Sequence, residues 1–210
     1  RILATIKIDG NQYDSVGIRY KGYSSVNITQ TKNPFNVKLD YIIDDQEFQG
    51  FNKIKLSNCI HDPSFIREAL SYQIARKYMP SSEANFVNLY INDTLWGLYS
   101  NVESVNKDFL SKHYQSRNNS FFKCNPTSLN LFGENSNLSL SPGNDSLNYE
   151  NFYTIKSDFG WSDLYSFIDT LNNFKSSINQ VLNVDRTLWM HALNYSIVNL
   201  DSYIGYAQNY

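Results

Sequence analysis

The chain has 210 residues, of which 41% are apolar, enough for one large domain or two small lobes around a real core. Charged residues make up 18% and the formal net charge is -2, so the basic excess typical of nucleic-acid-binding proteins is missing. No stretch approaches the roughly 18 consecutive apolar residues of a membrane helix, and no membrane span is expected in this segment. The three histidines are scattered and form no zinc motif.

The N-terminal part of the chain has the alternating apolar pattern of β-strands. Four strands are predicted, and Asp9-Gly10-Asn11 is a typical hairpin turn between the first two; they cover residues 4–8, 16–20, 35–39 and 51–56. A helix is then predicted to begin at Asp62-Pro63-Ser64, which supplies a capping side chain and a first-turn proline, and to end near Tyr78.

The next part begins with two aromatic and aliphatic strands, residues 85–91 and 95–102, which are expected to be central in the sheet. A short helix over residues 106–114 and a short strand over 121–123 follow. Residues 125–150 are rich in Asn, Ser, Gly and Pro and predict a long surface loop.

The C-terminal part is predicted to be helical, over residues 162–171, 176–182 and 185–198. The last helix is apolar and is expected to be capped by Asp185. A β-rich first part followed by a helical second part indicates an α+β fold.

Several short motifs occur in a fixed order along this pattern: Val16–Ser25, Lys32–Lys38, Asp62–Glu68, Phe86–Asn92, Trp96–Glu103, Asn199–Tyr203 and Gln208–Tyr210. As a set, from about residue 16 to residue 210, they resemble the spore coat protein H (CotH) kinase family. The resemblance implies an atypical two-lobed protein-kinase-like fold that binds ATP and Mg²⁺. It also implies a protein substrate that accepts the phosphate on Ser or Thr.

In this interpretation residues 1–210 form a single domain. A β-rich N-lobe with one main helix covers about 1–103, and an α-rich C-lobe covers about 104–210. The domain is expected to be truncated, because the second metal-ligand aspartate of such a site should lie beyond Tyr210. We therefore expect little or no activity from this segment alone.

The segment Gly22-Tyr23-Ser24-Ser25 lies between two predicted strands. The resemblance implies that Gly22, Ser24 and Ser25 cover the phosphates with backbone N–H groups and hydroxyls. A plain hairpin turn rich in glycine and serine is the alternative.

Lys32 or Lys38 is expected to be the lysine that binds the phosphates. Lys38 is preferred, because it lies inside a strand whose pleat fixes its direction. Glu68 on the following helix is its expected ion-pair partner, as in kinase-like folds. Arg19 and Lys21 would add positive charge near the phosphates, although solvent-exposed lysines and a solvent-exposed glutamate remain the alternative.

The segment from Ser100 to Glu103 corresponds, in the resemblance, to the hinge that meets adenine through its main chain. Ser100, Val102 and Glu103 are the expected contacts. Glu103 would bind the ribose, and a residue that simply caps the turn is the alternative.

Asp201 follows the last predicted helix and is the expected catalytic residue, which would accept or orient the substrate hydroxyl proton. Asn209 would bind Mg²⁺ through its side-chain oxygen, a ligand type that this ion prefers. Gln208 stands where the family more usually has His, which is a departure. An ordinary Asx turn is the alternative for Asp201.

Asp158-Phe159-Gly160 spells the kinase metal-binding triplet but precedes the predicted catalytic loop, whereas the functional triplet follows it. We expect it to be a turn that leads into a helix.

An abundance of Asn, Ser and Tyr favours a secreted or cell-surface protein, and Asn-x-Ser/Thr sequons occur at residues 27, 92, 118, 137, 144 and 194. Cys59 and Cys124 form a disulfide or remain free thiols, and their spacing in the sequence does not decide between the two.

Two functions stay open: an ATP-dependent kinase, and a non-catalytic surface or adhesion module on a kinase-like scaffold.

Overall fold

The computed structural model describes residues 1–22, 25–131 and 134–210. They form two compact units, Arg1–Gln115 and Ser116–Tyr210. Both combine strands and helices, so the α+β class is confirmed. The lobe boundary expected near residue 103 remains a prediction.

The first unit is built on a six-stranded antiparallel sheet with the order β1-β2-β3-β4-β6-β5. The strands are β1 (Ile2–Ile8), β2 (Asn11–Tyr20), β3 (Phe35–Lys38), β4 (Lys53–Ser57), β5 (Ala84–Ile91) and β6 (Thr94–Val102). Helix α1 (Arg67–Ala75) connects β4 to β5, and α2 (Lys107–Tyr114) follows β6.

The register of β2, β3 and β4 gives the sheet two different faces. Ile18, Val37 and Ile54 lie opposite one another and pack around the buried Val16 and Leu39. Because successive residues of a strand point to opposite sides, the neighbouring residues form the other face. There the rows Gly17–Lys38–Lys53 and Arg19–Asn36–Lys55 put Arg19, Lys38, Lys53 and Lys55 together. We call these four side chains the cationic face.

The predicted strands of the first unit are all present, but the expectation that 85–91 is central was wrong. β6 lies between β4 and β5, and β5 is at the edge of the sheet. The exposed aromatic side chains of β5, Phe86 at 42% and Tyr90 at 58%, agree with that position. Both strands are strongly apolar, so their composition did not distinguish edge from centre.

Helix α1 begins later than its sequence predicts. The Asp62 carboxylate accepts hydrogen bonds from the Ser64 N–H at 3.0 Å and from the Arg67 N–H at 2.8 Å. Phe65 has a φ of 64°, which a right-handed helix excludes. Asp62 therefore closes a turn in front of the helix instead of starting it.

The second unit contains a two-stranded sheet, β7 (Phe122–Cys124) with β8 (Tyr153–Ile155), and the helices α3 (Trp161–Asn173) and α4 (Val184–Ser196). Short 3-10 helices cover Ser146–Tyr149 and Lys175–Gln180. Its core is formed by Cys124, Tyr149, Tyr153, Leu164 and Ile168. The three-residue strand β8 was not predicted, because it is too short to show a period.

The predicted loop at 125–150 is anchored to this core by hydrogen bonds. The buried Ser136 donates its hydroxyl to Phe152 O at 2.6 Å, and the Tyr149 hydroxyl donates to Gly143 O at 3.0 Å. Buried polar partners of this kind let a long polar segment pack without an apolar pattern.

Helix α4 corrects the expected cap. Its cap is Asn183, whose side-chain oxygen accepts from the Arg186 N–H at 3.0 Å, and Asp185 lies inside the first turn. None of its residues is buried, and Leu188 is 62% exposed. Across the described parts of the chain, no helix combines the length and the apolar character needed to cross a membrane.

Both cysteines are free thiols, Cys59 in the first unit and Cys124 in the second. Cys59 is half-buried, and its Sγ lies 3.0 Å from Ser100 Oγ. Cys124 is 8% exposed, and burial raises its pKa to about 12 against a smaller opposing effect of a hydrogen bond with Tyr210.

The two thiols should differ in reactivity. A raised pKa keeps the Cys124 thiol protonated at pH 8, and only the thiolate attacks an alkylating reagent. In native protein treated with iodoacetamide, peptide mass spectrometry should find Cys59 modified first and Cys124 protected, and both modified in denaturant. Equal labelling of the two cysteines in native protein would contradict this packing.

Candidate functional site

Lys21, Ser57 and Glu68 form a hydrogen-bonded chain beside the sheet. Lys21 directly follows β2, Ser57 ends β4, and Glu68 lies in the first turn of α1. Lys21 Nζ donates to Ser57 Oγ at 2.7 Å, and Ser57 Oγ donates to Glu68 Oε1 at 3.2 Å. The Ser57 hydroxyl thus joins the lysine and the glutamate of the cluster.

The Lys21 ammonium lies in a largely dehydrated position. Burial lowers its pKa, and the nearby Glu68 carboxylate raises it in part. Lys21 contacts Glu68 only through the neutral Ser57 hydroxyl, so further N–H groups of its ammonium remain for another acceptor. The cluster can therefore hold a phosphate oxygen.

The structure does not bring Lys38 to Glu68. Lys38 Nζ lies 3.8 Å from Asp40 Oδ1, and Lys38 is in register with Lys53 on β4. Since Ser57 is four residues further along β4, it lies roughly 13 Å from that row. The expected Lys38–Glu68 pair was wrong for this geometric reason, and Lys21 takes the position beside Glu68.

Lys32, the other expected phosphate lysine, faces aromatic rings. Its Nζ lies 4.3 Å from the centroid of the Phe65 ring and 4.9 Å from that of Tyr99. Such rings attract a cation through their negative faces. Burial lowers the Lys32 pKa, and the Cys59 sulfur raises it in part.

The glycine-rich turn begins next to Lys21. Gly22 has a φ of 89°, and a Cβ added there would collide with Ser25 Oγ, so glycine is required. Ser24, an expected phosphate contact, and its neighbour Tyr23 lie outside the described residues. The buried Asn58 donates to Ser25 O at 3.2 Å and to Lys32 O at 3.0 Å. It thereby fixes two points of the connection between β2 and β3 to the end of β4.

The expected hinge is partly enclosed by the sheet. Ser100 is fully buried and lies in register between Ser57 on β4 and Phe86 on β5. Val102 pairs with Ala84, and the Glu103 carboxylate accepts from the Glu83 N–H at 2.9 Å and lies 3.5 Å from Lys112 Nζ. The carboxylate of Glu103 thus has protein partners, and the predicted adenine contacts remain predictions.

Asp201 and Asn209, predicted from separate motifs, lie together in the second unit. Asn209 Nδ2 donates to Asp201 Oδ1 at 2.9 Å, and Gln208 Nε2 donates to the same oxygen. Asp201 is exposed. Its Oδ2 and the side-chain oxygen of Asn209 therefore remain for other partners.

The backbone holds Asn209 in an unusual conformation. Its φ is 56°, and its N–H donates to Cys124 O at 2.6 Å, which fixes it to β7. Asparagine tolerates this left-handed region better than most residues. The neighbouring Tyr210 packs edge-on against Tyr203 with 5.1 Å between the ring centroids. These contacts bring the segment 201–210 back onto itself.

The oxygen atoms of Asp201 and Asn209 are the kind that Mg²⁺ binds. Within the described ranges, no group of three or more His, Cys, Asp or Glu residues is arranged to hold a metal ion. The second unit thus offers two oxygen ligands at this position, and Mg²⁺ would need water or phosphate oxygens for the others.

The triplet Asp158-Phe159-Gly160 forms the approach to a helix. Gly160, with a φ of 138°, is the residue that precedes α3, and Phe159 is 57% exposed. Asp163, in the first turn of α3, accepts from the Ser120 hydroxyl. This is the helix start that the sequence suggested.

Ser57 and Asn58 were not predicted from the sequence. Both follow the apolar end of β4, where a polar pair looks like an ordinary strand end. The available signal was their position, because they begin the connection from β4 to α1, the helix that carries Glu68.

A search of curated proteins finds no match to this chain. A sequence model of the family described as CotH kinase protein matches residues 18–210, which is nearly the whole chain. The matched range contains Lys21, Ser57, Glu68, Asp201 and Asn209. Because the match covers nearly the whole chain, the chain belongs to the CotH kinase family.

Proposed function

We propose that the protein is an ATP- and Mg²⁺-dependent kinase with a two-lobed kinase-like fold that phosphorylates Ser or Thr residues of secreted, coat or cell-surface proteins. The observation that carries the proposal is the Lys21–Ser57–Glu68 chain beside the glycine turn. Family membership supplies the reaction class, and the abundance of Asn, Ser and Tyr supports the localisation.

Lys21 is the phosphate-binding lysine in this proposal. Its ammonium offers two further N–H donors beyond the one that Ser57 accepts. Glu68 acts through Ser57 and fixes the direction of that ammonium. In the proposal the backbone N–H of Gly22, the next residue, contacts the same anion as the ammonium, since phosphoryl transfer requires donors over the phosphates.

Asp201 is the catalytic residue. Its Oδ2 takes the proton from the acceptor hydroxyl while the bond from that oxygen to the γ-phosphorus forms and the bond to the β,γ-bridging oxygen breaks, which releases ADP. Gln208 and Asn209 hold the other carboxylate oxygen and so set the direction of Oδ2. Bound Mg²⁺ would neutralise phosphate charge, and the side-chain oxygen of Asn209 would hold it.

Lys21→Met should weaken binding of Mg-ATP roughly 10- to 100-fold, because a hydrogen bond to a charged group contributes about 1.5–3 kcal/mol. Lys38→Met is the matched control on the same sheet, and it should change affinity less than about threefold. Isothermal titration calorimetry measures both constants. Because burial lowers the pKa of Lys21, its ammonium loses its proton at a lower pH than an ordinary lysine does. As the pH is raised, the affinity of the wild type for Mg-ATP should therefore decrease at that lower pH. A larger loss of Mg-ATP affinity in Lys38→Met than in Lys21→Met would contradict this assignment and make Lys38 the phosphate-binding lysine.

Asp201→Asn should lower the rate of phosphate transfer about 10²- to 10⁴-fold while Mg-ATP still binds. Asp158→Asn is the control, since that residue belongs to the helix approach, and it should keep wild-type activity. Transfer from γ-labelled ATP to an array of Ser-containing peptides measures the rate. Full activity in Asp201→Asn would exclude the catalytic assignment.

A further inference from the structure

We propose that the outer edge of β5 pairs with β5 of a second copy of this chain, so that the two sheets join in an antiparallel, two-fold dimer. The proposal does not depend on the kinase activity proposed above. The observation that carries it is the symmetric order of residues 86–90, Phe-Val-Asn-Leu-Tyr, on a strand that lies at the end of the sheet.

The β5 edge lacks the features with which natural edge strands avoid pairing with another chain. Such strands commonly carry lysine, proline or a bulge. The eight residues of β5, ANFVNLYI, include no charged residue and no proline. The irregularity in its pairing with β6 adds the extra residue, Trp96, to β6 and leaves β5 regular. The strand at the opposite end of the sheet, β1, differs because it contains Lys7.

The backbone of β5 directs a regular set of hydrogen-bonding groups away from β6. The Glu103 N–H donates to Glu83 O at 2.8 Å, so the carbonyl of Glu83 points toward the chain of β6. Residues of an antiparallel pair alternate between facing the neighbouring strand and facing away from it. The N–H and C=O groups of Phe86, Asn88 and Tyr90 therefore point outward. In the described part of the chain β5 is the last strand on this side, so no strand of the sheet pairs with these groups.

The outer edge of β5 is self-complementary about Asn88. In an antiparallel pair centred on Asn88, Phe86 of each copy lies opposite Tyr90 of the other, and Val87 lies opposite Leu89. The two Asn88 side chains meet at the axis, where each carboxamide can donate and accept a hydrogen bond. Phe86, Asn88 and Tyr90 share one backbone orientation, so all three form hydrogen-bonded pairs in this register.

The exposure of the side chains agrees with this pairing. Phe86 is 42% exposed, Tyr90 is 58% exposed, and Asn88 between them is also exposed. Val87 and Leu89, which point to the other side of the strand, are half-buried. Pairing would place two aromatic pairs on one face of the joined sheet, where cross-strand aromatic contacts stabilise antiparallel strands. It would also remove apolar surface of both rings from water.

The symmetry of β5 favours a second copy of the chain over an unrelated peptide. A two-fold contact uses the same surface on both copies, so the residues on either side of the axis must suit each other. Phe86 with Tyr90 and Val87 with Leu89 meet this condition. Because β5 carries no charge, two copies do not repel each other along the strand, and a charged peptide finds no opposite charge on it.

Sedimentation velocity at about 5 to 200 µM protein tests the proposal. The wild type should form a concentration-dependent dimer of about twice the 24.3 kDa of the chain. Asn88→Lys should weaken dimerisation about tenfold or more, because two like charges would meet at the axis. The matched control Asn118→Lys adds the same charge at an exposed residue of the second unit and should dimerise within about twofold of wild type. Circular dichroism verifies that each variant is folded.

A charge-swap pair tests whether Asn88 faces its own counterpart. Asn88→Asp alone should dimerise as weakly as Asn88→Lys, and an equimolar mixture of the two variants should recover the dimer, since opposite charges then meet at the axis. The proposal is overturned by a wild type that stays monomeric over the whole range, or by an equal loss in Asn118→Lys. It is equally overturned if Asn88→Lys dimerises like the wild type, or if the mixture stays as weak as its components.

Discussion

The pairing of β2, β3 and β4 is the constraint on which the rest of the first unit depends. A slip of one residue would exchange the two faces, moving Val37 out of the apolar cluster and Lys38 into it. The apolar residues on one side make that slip costly, because each would lose its burial in the cluster. The same register carries the cations to the other side, so core and charged surface are fixed together.

The phosphate-side cluster follows from where these strands end. Lys21 comes just after β2 and Ser57 closes β4, so the ends of two strands and the first turn of α1 supply its three side chains. Asn58, next along the chain, ties the glycine turn to the same point. Lys38 belongs to another row of the sheet, and its distance from Ser57 explains why it pairs with Asp40 instead of Glu68.

Much of this organisation could be predicted from the sequence, because alternating apolar residues identify strands well. The alternating pattern does not show which strand lies at the edge of a sheet, so β5 was wrongly predicted to be central. Asp62 looked like a cap, but its carboxylate stabilises a turn before α1 that only the backbone of Phe65 reveals. At the site, Asp201 and Asn209 were predicted from motifs, whereas Ser57 was missed because its role depends on a contact across strands.

The central claim is that Lys21 and Glu68 act on bound nucleotide as one unit through the Ser57 hydroxyl. A double-mutant cycle of Lys21→Met and Glu68→Gln, with Mg-ATP affinity measured by calorimetry, tests it most directly. The account predicts that Glu68→Gln weakens binding in the wild-type background and has little further effect once Lys21 is Met, with a coupling of roughly 0.5–3 kcal/mol. Additive losses, or a full effect of Glu68→Gln without Lys21, would contradict it.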